Sequence, residues 1–244
     1  MNNKTLIYGK HPIFLALKNE NRRFFKIYTS NLEELKKYIK DNNIKNINNL
    51  IEFKNNNDLN KLFSESVNHQ GYVALVSNPK KIELDSFIWN ECKNKNNLPK
   101  LLILDQLTDP HNIGAIIRTA AAFDVRYIIT TKYNSPKDSA VIVKSSAGLS
   151  EVINIIEVIN INKTLEILKN TGYFIIGLAG EAQGNIKTIT NSENLCLIVG
   201  NEGKGIRQLI KKNCDALYKI NISQDVESLN ASVAAAIAIY QLWS

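Results

Sequence analysis

The chain has 244 residues, and 44% of them are hydrophobic, which is enough for a globular protein of one large or two small domains. Its net charge of +7 favours a polyanionic partner, and most of the surplus lies in residues 1–79, with 12 Lys+Arg against 7 Asp+Glu. Three cysteines without CxxC spacing and scattered histidines exclude a disulfide framework and a metal site. No apolar run reaches the ~18 residues of a membrane span, so we expect a cytoplasmic protein or, after removal of a transit peptide, an organellar one.

The front of the chain, residues 1–79, predicts a small α/β domain. Its Asn- and Lys-rich stretch, 41–60, contains apolar residues at helical spacing, which favours a folded segment over a disordered one. The predicted elements are strands near 26–29 and 72–76 and helices near 11–18 and 32–40. Residues 80–99 are polar, charged and flanked by prolines, and they predict a linker.

From residue 100 onward, short β-branched runs alternate with helical patterns. The predicted strands are 101–105, 126–131, 173–180 and 195–200, and the predicted helices are near 113–123, 163–170, 206–212 and 228–242. This alternation predicts a parallel sheet covered by helices on both faces. Ligands of such sheets bind at the carboxyl ends of the strands, so we expect the site in the loops after Asp105, Ala179, Val199 and Ile222.

The first of these loops, residues 104–123, contains two candidate site residues. Asn112 can cap a helix through its side-chain oxygen, and Arg118 lies six residues later on the same helix. From spacing alone, an ordinary N-cap and a solvated helical arginine explain them as well as a functional role does.

In the second loop, residues 197–206, a strand leads into three glycines. Glycines let backbone amides approach a nucleotide-like ligand closely, but the loop has neither the GxGxxG nor the P-loop pattern, which disfavours a phosphate cradle. Glu202 is either a surface turn acid or an acceptor for a hydroxyl or an arginine.

The third segment, residues 220–243, predicts a helix capped by Ser228. Asn230 is either a second cap or a site residue, and the run Ala231–Ala238 places small residues on one stripe, as in close helix packing within a subunit or between subunits.

In their order along the chain and in their amino-acid sequence, these loops resemble the three motifs of the SpoU (TrmH) family of ribose 2′-O-methyltransferases in the SPOUT superfamily. The matching segments are TDPHNIGAIIRTA, GNEGKGI and SLNASVAAAI, with KSSAGLSE and GLAGEAQ between them. At the front, YGKHPIFLALKN and HQGYVALV resemble the ribosomal-protein-like RNA-binding domain of the branch that methylates guanosine in large-subunit ribosomal RNA. The resemblance covers nearly the whole chain.

The resemblance implies an RNA-binding domain over 1–79 and a catalytic domain over 100–244. It also implies an α/β fold whose parallel sheet has a C-terminal trefoil knot that binds S-adenosyl-L-methionine (AdoMet), and a homodimer in which each subunit helps to complete the other's site. Its partner would be structured ribosomal RNA rather than DNA or a membrane. The implied catalytic residues are Asn112, Arg118, Glu202, Ser228 and Asn230, and the implied cofactor-binding residues are Ala179, Gly180, Gly200, Ile222 and Leu229.

The third motif departs from the family pattern. It normally opens with Pro-Met and has a glycine four residues before the serine, whereas this chain has Asn221, Ile222 and Gln224. We therefore expect a different geometry in this cofactor loop.

The methyl group of a sulfonium is already electrophilic, so the enzyme has to position and deprotonate the hydroxyl and needs no metal. Arg118 is either the base or a contact to the target phosphate. Two further readings are the same reaction on transfer RNA and a non-catalytic RNA-binding assembly factor. An NAD-dependent oxidoreductase is disfavoured because the glycine fingerprint is missing.

Overall fold

The computed structural model describes residues 4–132, 139–189 and 194–244. Its strands are β1 Lys4–Tyr8, β2 Phe24–Thr29, β3 Ile51–Phe53, β4 Tyr72–Ser77, β5 Leu101–Asp105, β6 Tyr127–Thr131, β7 Asn154–Val158, β8 Phe174–Leu178, β9 Gly184–Asn185, β10 Leu195–Gly200 and β11 Ala216–Lys219. Its helices are α1 Lys10–Lys18, α2 Leu32–Asp41, α3 Asn56–Asn60, α4 Leu84–Glu91, α5 Pro110–Ala122, α6 Ser139–Ser145, α7 Ile161–Thr171, α8 Gln208–Asn213 and α9 Ala231–Trp243. Among these described residues, no helix is long and apolar enough to cross a bilayer.

Two compact units divide the chain. The first unit contains the described residues of 1–80 and 138–152, and the second contains those of 81–137 and 153–244. This division differs from the predicted one in two places. Residues 138–152, predicted in the catalytic domain, belong to the first unit, and most of the predicted linker belongs to the second unit.

The first unit is built on a four-stranded sheet in the order β1-β4-β2-β3. Strand β4 runs antiparallel to β1 and β2, while β3 is parallel to β2. Helix α1 buries Ile13, Ala16 and Leu17, which recur at the three- and four-residue spacing of one helix face. They share an apolar core with residues of the sheet and with Val143 of α6, so the later segment completes this core.

A buried ion pair fastens the later segment to the rest of the first unit. Arg22 Nη2 lies 3.0 Å from Glu151 Oε1, and the two side chains are 1% and 2% exposed. Asn19 Nδ2 donates to the same carboxylate at 2.8 Å, and Arg22 Nη1 donates to the Ser77 carbonyl at 2.5 Å. Gly148 has φ +84, and a Cβ there would lie 2.6 Å from the Pro12 backbone. Glycine therefore lets the segment lie directly against α1.

The second unit contains a seven-stranded sheet in the order β7-β6-β5-β10-β8-β11-β9, and every pairing in it is parallel. Strands β5 and β10 are buried along their whole length, as expected for apolar strands covered on both faces. The predicted parallel sheet is confirmed.

The linker prediction for 80–99 is wrong. Ile82 bridges to Ile156, α4 occupies 84–91, and Phe87 is 1% exposed in the core of the second unit beside Cys92 and Leu98. The cluster at Phe87 and Ile88 packs onto the sheet, whereas Trp89 is exposed. The apolar residues of this stretch outweigh its polar composition because they are spaced to bury one helix face.

Candidate active site

A pocket lies where strands β8, β10 and β11 end at the same edge of the sheet, as the parallel topology predicts. All five expected cofactor-binding residues line it, as do Glu202 and Ser228. The lining residues are Leu178, Ala179, Gly180, Val199, Gly200, Asn201, Glu202, Gly205, Tyr218, Lys219, Ile220, Ile222, Glu227, Ser228, Leu229, Ala231 and Ala234. The walls are therefore largely apolar, with a lysine and two carboxylates among them.

The glycine loop after β10 folds back on itself. Asn201 N donates to Gly205 O at 3.2 Å, and Gly205 N donates to Asn201 O at 2.8 Å. A Cβ at Gly200 would lie 2.2 Å from the Gly205 carbonyl carbon, so this fold requires glycine there. Gly205 itself has φ +63, where glycine has no steric penalty.

Both ends of the glycine loop are held to the end of β5. Asp105 is fully buried and accepts hydrogen bonds from Arg207 N at 3.0 Å and Arg207 Nε at 2.9 Å. Asn201 Nδ2 donates to the Gln106 carbonyl at 3.2 Å. Sequence reasoning missed this pair, although an acid at the end of a buried strand is a signal that could have found it.

Three predicted site residues meet above the pocket. Asn112 Nδ2 donates to Glu202 Oε1, and Asn230 Nδ2 donates to Asn112 Oδ1 at 3.0 Å. They come from three segments of the chain separated by up to 118 residues. The chain of hydrogen bonds fixes the orientation of the Glu202 carboxylate, whose second oxygen has no hydrogen-bond partner among the described residues.

The N-cap interpretation of Asn112 is wrong. Helix α5 begins at Pro110, and its cap is Asp109, whose side chain accepts from His111 N at 2.9 Å. Proline suits the first helical position because it has no amide hydrogen to satisfy. Asn112 consequently lies inside the first turn, 9% exposed, with its amide free for the network.

Helix α9 is capped by Asn230, and the predicted cap Ser228 lies in the exposed segment before it. Asn230 Oδ1 accepts from Ser232 N at 2.9 Å and from Ser232 Oγ at 2.6 Å. One amide therefore serves both as the cap, through its oxygen, and in the network with Asn112, through its nitrogen. The sequence presented these two roles as alternatives.

Arg118 is not brought into the group. It lies exposed on α5, and it neither lines the pocket nor pairs with a carboxylate of the described residues. At 100° per residue it is turned about 120° away from Asn112 around the helix axis. The two side chains therefore leave the helix in different directions.

The small-residue stripe of α9 packs inside its own subunit. Ala231 is 4% exposed, Ala235 and Ala238 are fully buried, and α9 contacts α5. The opposite face presents Val233, Ile237 and Tyr240 to solvent, with exposures of 46%, 39% and 60%. Of the two kinds of packing that the sequence left open for this stripe, the described residues show packing within the subunit, and larger apolar residues face outward.

The pocket also contains residues that sequence reasoning did not select, above all Tyr218, Lys219 and Glu227. Tyr218 and Lys219 end β11, a strand that is only partly buried and lacks a distinctive apolar run. Because the strand has no clear sequence signal, their position at its carboxyl end could not be predicted from the sequence.

Two family models match the chain. The SpoU rRNA Methylase family model matches residues 99–240, which include the pocket and the Asn112–Glu202–Asn230 network. A second model, described as RNA 2′-O ribose methyltransferase substrate binding, matches residues 6–81. The chain belongs to the SpoU rRNA methylase family.

Curated relatives of this SpoU methylase extend over nearly its whole length. It is 33% identical over 241 residues to the 23S rRNA (guanosine-2′-O-)-methyltransferase RlmB of Pasteurella multocida, covering 97% of this chain and 96% of the relative. It is 34% identical over 240 residues to an uncharacterized tRNA/rRNA methyltransferase of Synechocystis, covering 98% of this chain and 62% of that longer protein.

Among solved structures, the SpoU methyltransferase AviRb of Streptomyces viridochromogenes, in complex with the cofactor AdoMet, matches with a TM-score of 0.78. The match covers 98% of this chain and 89% of that one at 21% identity. At this identity the likeness shows the fold.

Proposed function

We propose that the protein transfers the methyl group of AdoMet to the ribose 2′-hydroxyl of a guanosine in large-subunit ribosomal RNA. The observation that carries the proposal is the position of Glu202, which lines the pocket while the Asn112–Asn230 chain orients its carboxylate. The substrate class rests on the RlmB relative and on the substrate-binding match over 6–81. DNA has no 2′-hydroxyl and would not be a substrate.

The pocket residues fit AdoMet chemically. A Cβ built at Gly180 would meet no atom within 4 Å, so the wall is open beside this residue. Leu178, Val199 and Leu229 offer apolar surface for an adenine, and the carboxylates of Glu202 and Glu227 favour a cationic ligand. When bound, AdoMet would supply an electrophilic methyl group.

The unusual third motif keeps an apolar wall for this ligand. Asn221 and Gln224 are exposed, while Ile222 lines the pocket. We therefore propose that Ile222 contacts the cofactor, together with Ala179, Gly180, Gly200 and Leu229.

The chain's own residues would prepare the ribose hydroxyl for attack. The second oxygen of Glu202 can accept a hydrogen bond from the hydroxyl, while Asn112 and Asn230 keep the carboxylate in place. Ser228, at the pocket rim, can donate to the substrate through its own hydroxyl. We assign Arg118 to the phosphate of the target nucleotide. Its guanidinium is a planar fork of hydrogen-bond donors, and its positive charge stabilises the negative charge that develops on the ribose oxygen as the hydroxyl loses its proton.

Because Arg118 points away from the network of its own subunit, we assign it to the site of a partner subunit in a homodimer. The outward face of α9, Val233, Ile237 and Tyr240, is the proposed contact. Three apolar side chains at spacings of four and three residues form one stripe that water solvates poorly. The trefoil knot implied by the resemblance belongs to the same proposal, with residues 220–243 as the threaded segment.

Labelled AdoMet tests the activity. Incubation with 23S rRNA should place the label on a guanosine 2′-oxygen, and Glu202→Ala should abolish transfer while the protein still folds. If transfer RNA is labelled instead, transfer RNA is the substrate. Cofactor and RNA binding without any transfer would make it an assembly factor instead.

A further inference from the structure

Lys144 of the first unit has no acidic partner among the residues that the structure describes. The ammonium is partly buried on α6 and donates to Gln70 Oε1 at 2.9 Å, with the Tyr8 ring centroid 5.9 Å away. No carboxylate of the described residues lies within ion-pair distance of it. Burial lowers the pKa of Lys144. The pKa of His69 is lowered first by burial and second by the positive charge of Lys144. The charge is therefore partly desolvated without being neutralised.

Arg22 in the same unit shows the usual arrangement for a buried cation. Its guanidinium lies against Glu151, with further hydrogen bonds from Arg22 Nη1 to Ser77 O and from Asn19 to the carboxylate. A cation that leaves water is normally paired in this way, because a neutral amide oxygen replaces only part of its hydration. Lys144 is partly desolvated but has no counter-ion among the described residues. This arrangement is typical of a site that binds an anion from a ligand.

Backbone geometry around Lys144 favours this position. Gly9 has φ +104, a conformation that favours glycine, and a Cβ there would lie 2.7 Å from Lys144 Nζ, so the ammonium would have to move if Gly9 carried a side chain. Gln70 has φ +55, a conformation uncommon for a residue with a side chain. Its Oε1 also accepts from Lys10 N at 3.3 Å. Such strained residues concentrate at binding sites, where the surrounding contacts hold them in place.

We propose that Lys144, held by Gln70 beside Gly9, binds a phosphodiester of the substrate RNA in the first unit. The proposal rests on the RNA methyltransferase function above and adds a contact outside the catalytic pocket. A basic residue that binds one phosphate adds affinity without base specificity. One such contact makes the fall of log K, the association constant, with log salt concentration steeper by about 0.7 to 0.9. The affinity that it adds is then roughly five- to eightfold greater at 0.1 M salt than at 1 M.

Lys144→Met in the full chain is the first test, with Lys37→Met as its matched control. Lys37 is an exposed lysine of α2 in the same unit, so both variants lose one charge. We expect Lys144→Met to weaken binding of a ribosomal RNA fragment severalfold and to flatten the salt slope by about one contact, with an unchanged or higher melting temperature. Equal effects of the two substitutions on affinity would overturn the proposal.

Gln70→Glu is the second test, because it offers Lys144 an internal carboxylate of the same shape. It should raise the melting temperature and lower RNA affinity more than Asn49→Asp, which adds a charge at another exposed position of the unit. A lower melting temperature in Lys144→Met with RNA affinity equal to wild type would make Lys144 a structural tether. Wild-type protein that binds no RNA would instead refute the proposed function.

Discussion

The two units differ in what they leave unsatisfied. In the second unit the polar groups at the site pair with one another, as in Asn112 with Glu202 and Asp105 with Arg207. The second unit also exposes the apolar outward face of α9. In the described part of the first unit, the partly buried Lys144 has an amide oxygen as its partner and no carboxylate. Paired polar groups suit the positioning of a small cofactor and a hydroxyl, whereas an unpaired cation suits capture of a polyanion. Chemistry and RNA capture should therefore be separable by substitution.

The largest expected effect belongs to Arg118. Arg118→Ala should lower the rate of methyl transfer roughly 10²- to 10³-fold, because a preorganised contact to the reacting region is lost. Cofactor affinity should change little, since Arg118 does not line the pocket. Arg118→Lys should also fail because it lacks the planar fork. Single-turnover methyl transfer and calorimetry with AdoMet measure the two quantities.

Lys144→Met provides the contrast to Arg118→Ala. It should weaken RNA binding and leave the rate at saturating RNA near that of wild type. Near-normal turnover in Arg118→Ala would show that Arg118 is not part of the active site. The assignment of chemistry to the second unit and of RNA capture to the first would then lose its strongest support.

The two faces of α9 should respond to charge in different ways. Ala235→Glu buries an unpaired carboxylate inside the subunit and should destabilise the fold itself by several kcal/mol. Ile237→Glu places the same charge on the outward face and should leave the fold intact while it splits the dimer and abolishes activity. Sedimentation and thermal melting distinguish these outcomes. An active monomer, in wild type or Ile237→Glu, would contradict the shared active site.

Removal of the first unit tests whether the second stands alone. Deletion of residues 1–79 takes Arg22 and the core away from 138–152, so we expect an unstable protein. A variant that also replaces 138–152 with a Gly/Ser linker of about ten residues, long enough to return along a strand of about 17 Å, should fold and bind AdoMet. Its RNA affinity should be weaker and less salt-dependent. An unchanged salt slope would place RNA capture in the second unit.

Sequence patterns predicted the parts of the fold whose burial is uniform along the chain. Strands β5 and β10 are buried at every position because helices cover both faces, so their apolar runs are visible in the sequence. Strands such as β3 and β11 are short or half-buried and lack that signal. The place of 138–152 depends on the Arg22–Glu151 pair, whose partners are 129 residues apart, and no local pattern contains such information.

The candidate site was predicted as a set of loops, and its geometry was not. Asp109 and Asn112 are both good caps; Asp109 caps the helix beside Pro110, and the bond of Asn112 to Glu202, 90 residues away, has no local signal. Asn230 acts as a cap and as a network residue at once, because its two side-chain atoms point in different directions. The outward direction of Arg118 follows from helix geometry once the first helical residue is known.

The smallest expected effect concerns the pH dependence of the first unit's stability. His69 is 6% exposed, its Nδ1 accepts from Gly71 N at 3.0 Å, and Nε2 lies 3.0 Å from Asn60 Oδ1. This arrangement requires the neutral ring. Burial, and secondly the charge of Lys144, lower the pKa of His69 below its ordinary value of about 6.5.

The sign of the effect follows from proton binding. Above pH 6.5 His69 is neutral in both the folded and the unfolded state and contributes no pH dependence. As the pH falls below 6.5, His69 binds a proton in the unfolded chain but stays neutral in the folded chain. The free energy of unfolding therefore decreases, by at most ~1.4 kcal/mol per pH unit. Between pH 7.5 and 5.5, urea titrations should show wild type losing more stability than His69→Gln. His11→Gln, at an exposed position of the same unit, is the matched control. In Lys144→Met the loss should shrink, because part of the field that lowers the pKa of His69 is gone; a loss of the same size would mean that the unpaired charge of Lys144 does not reach His69.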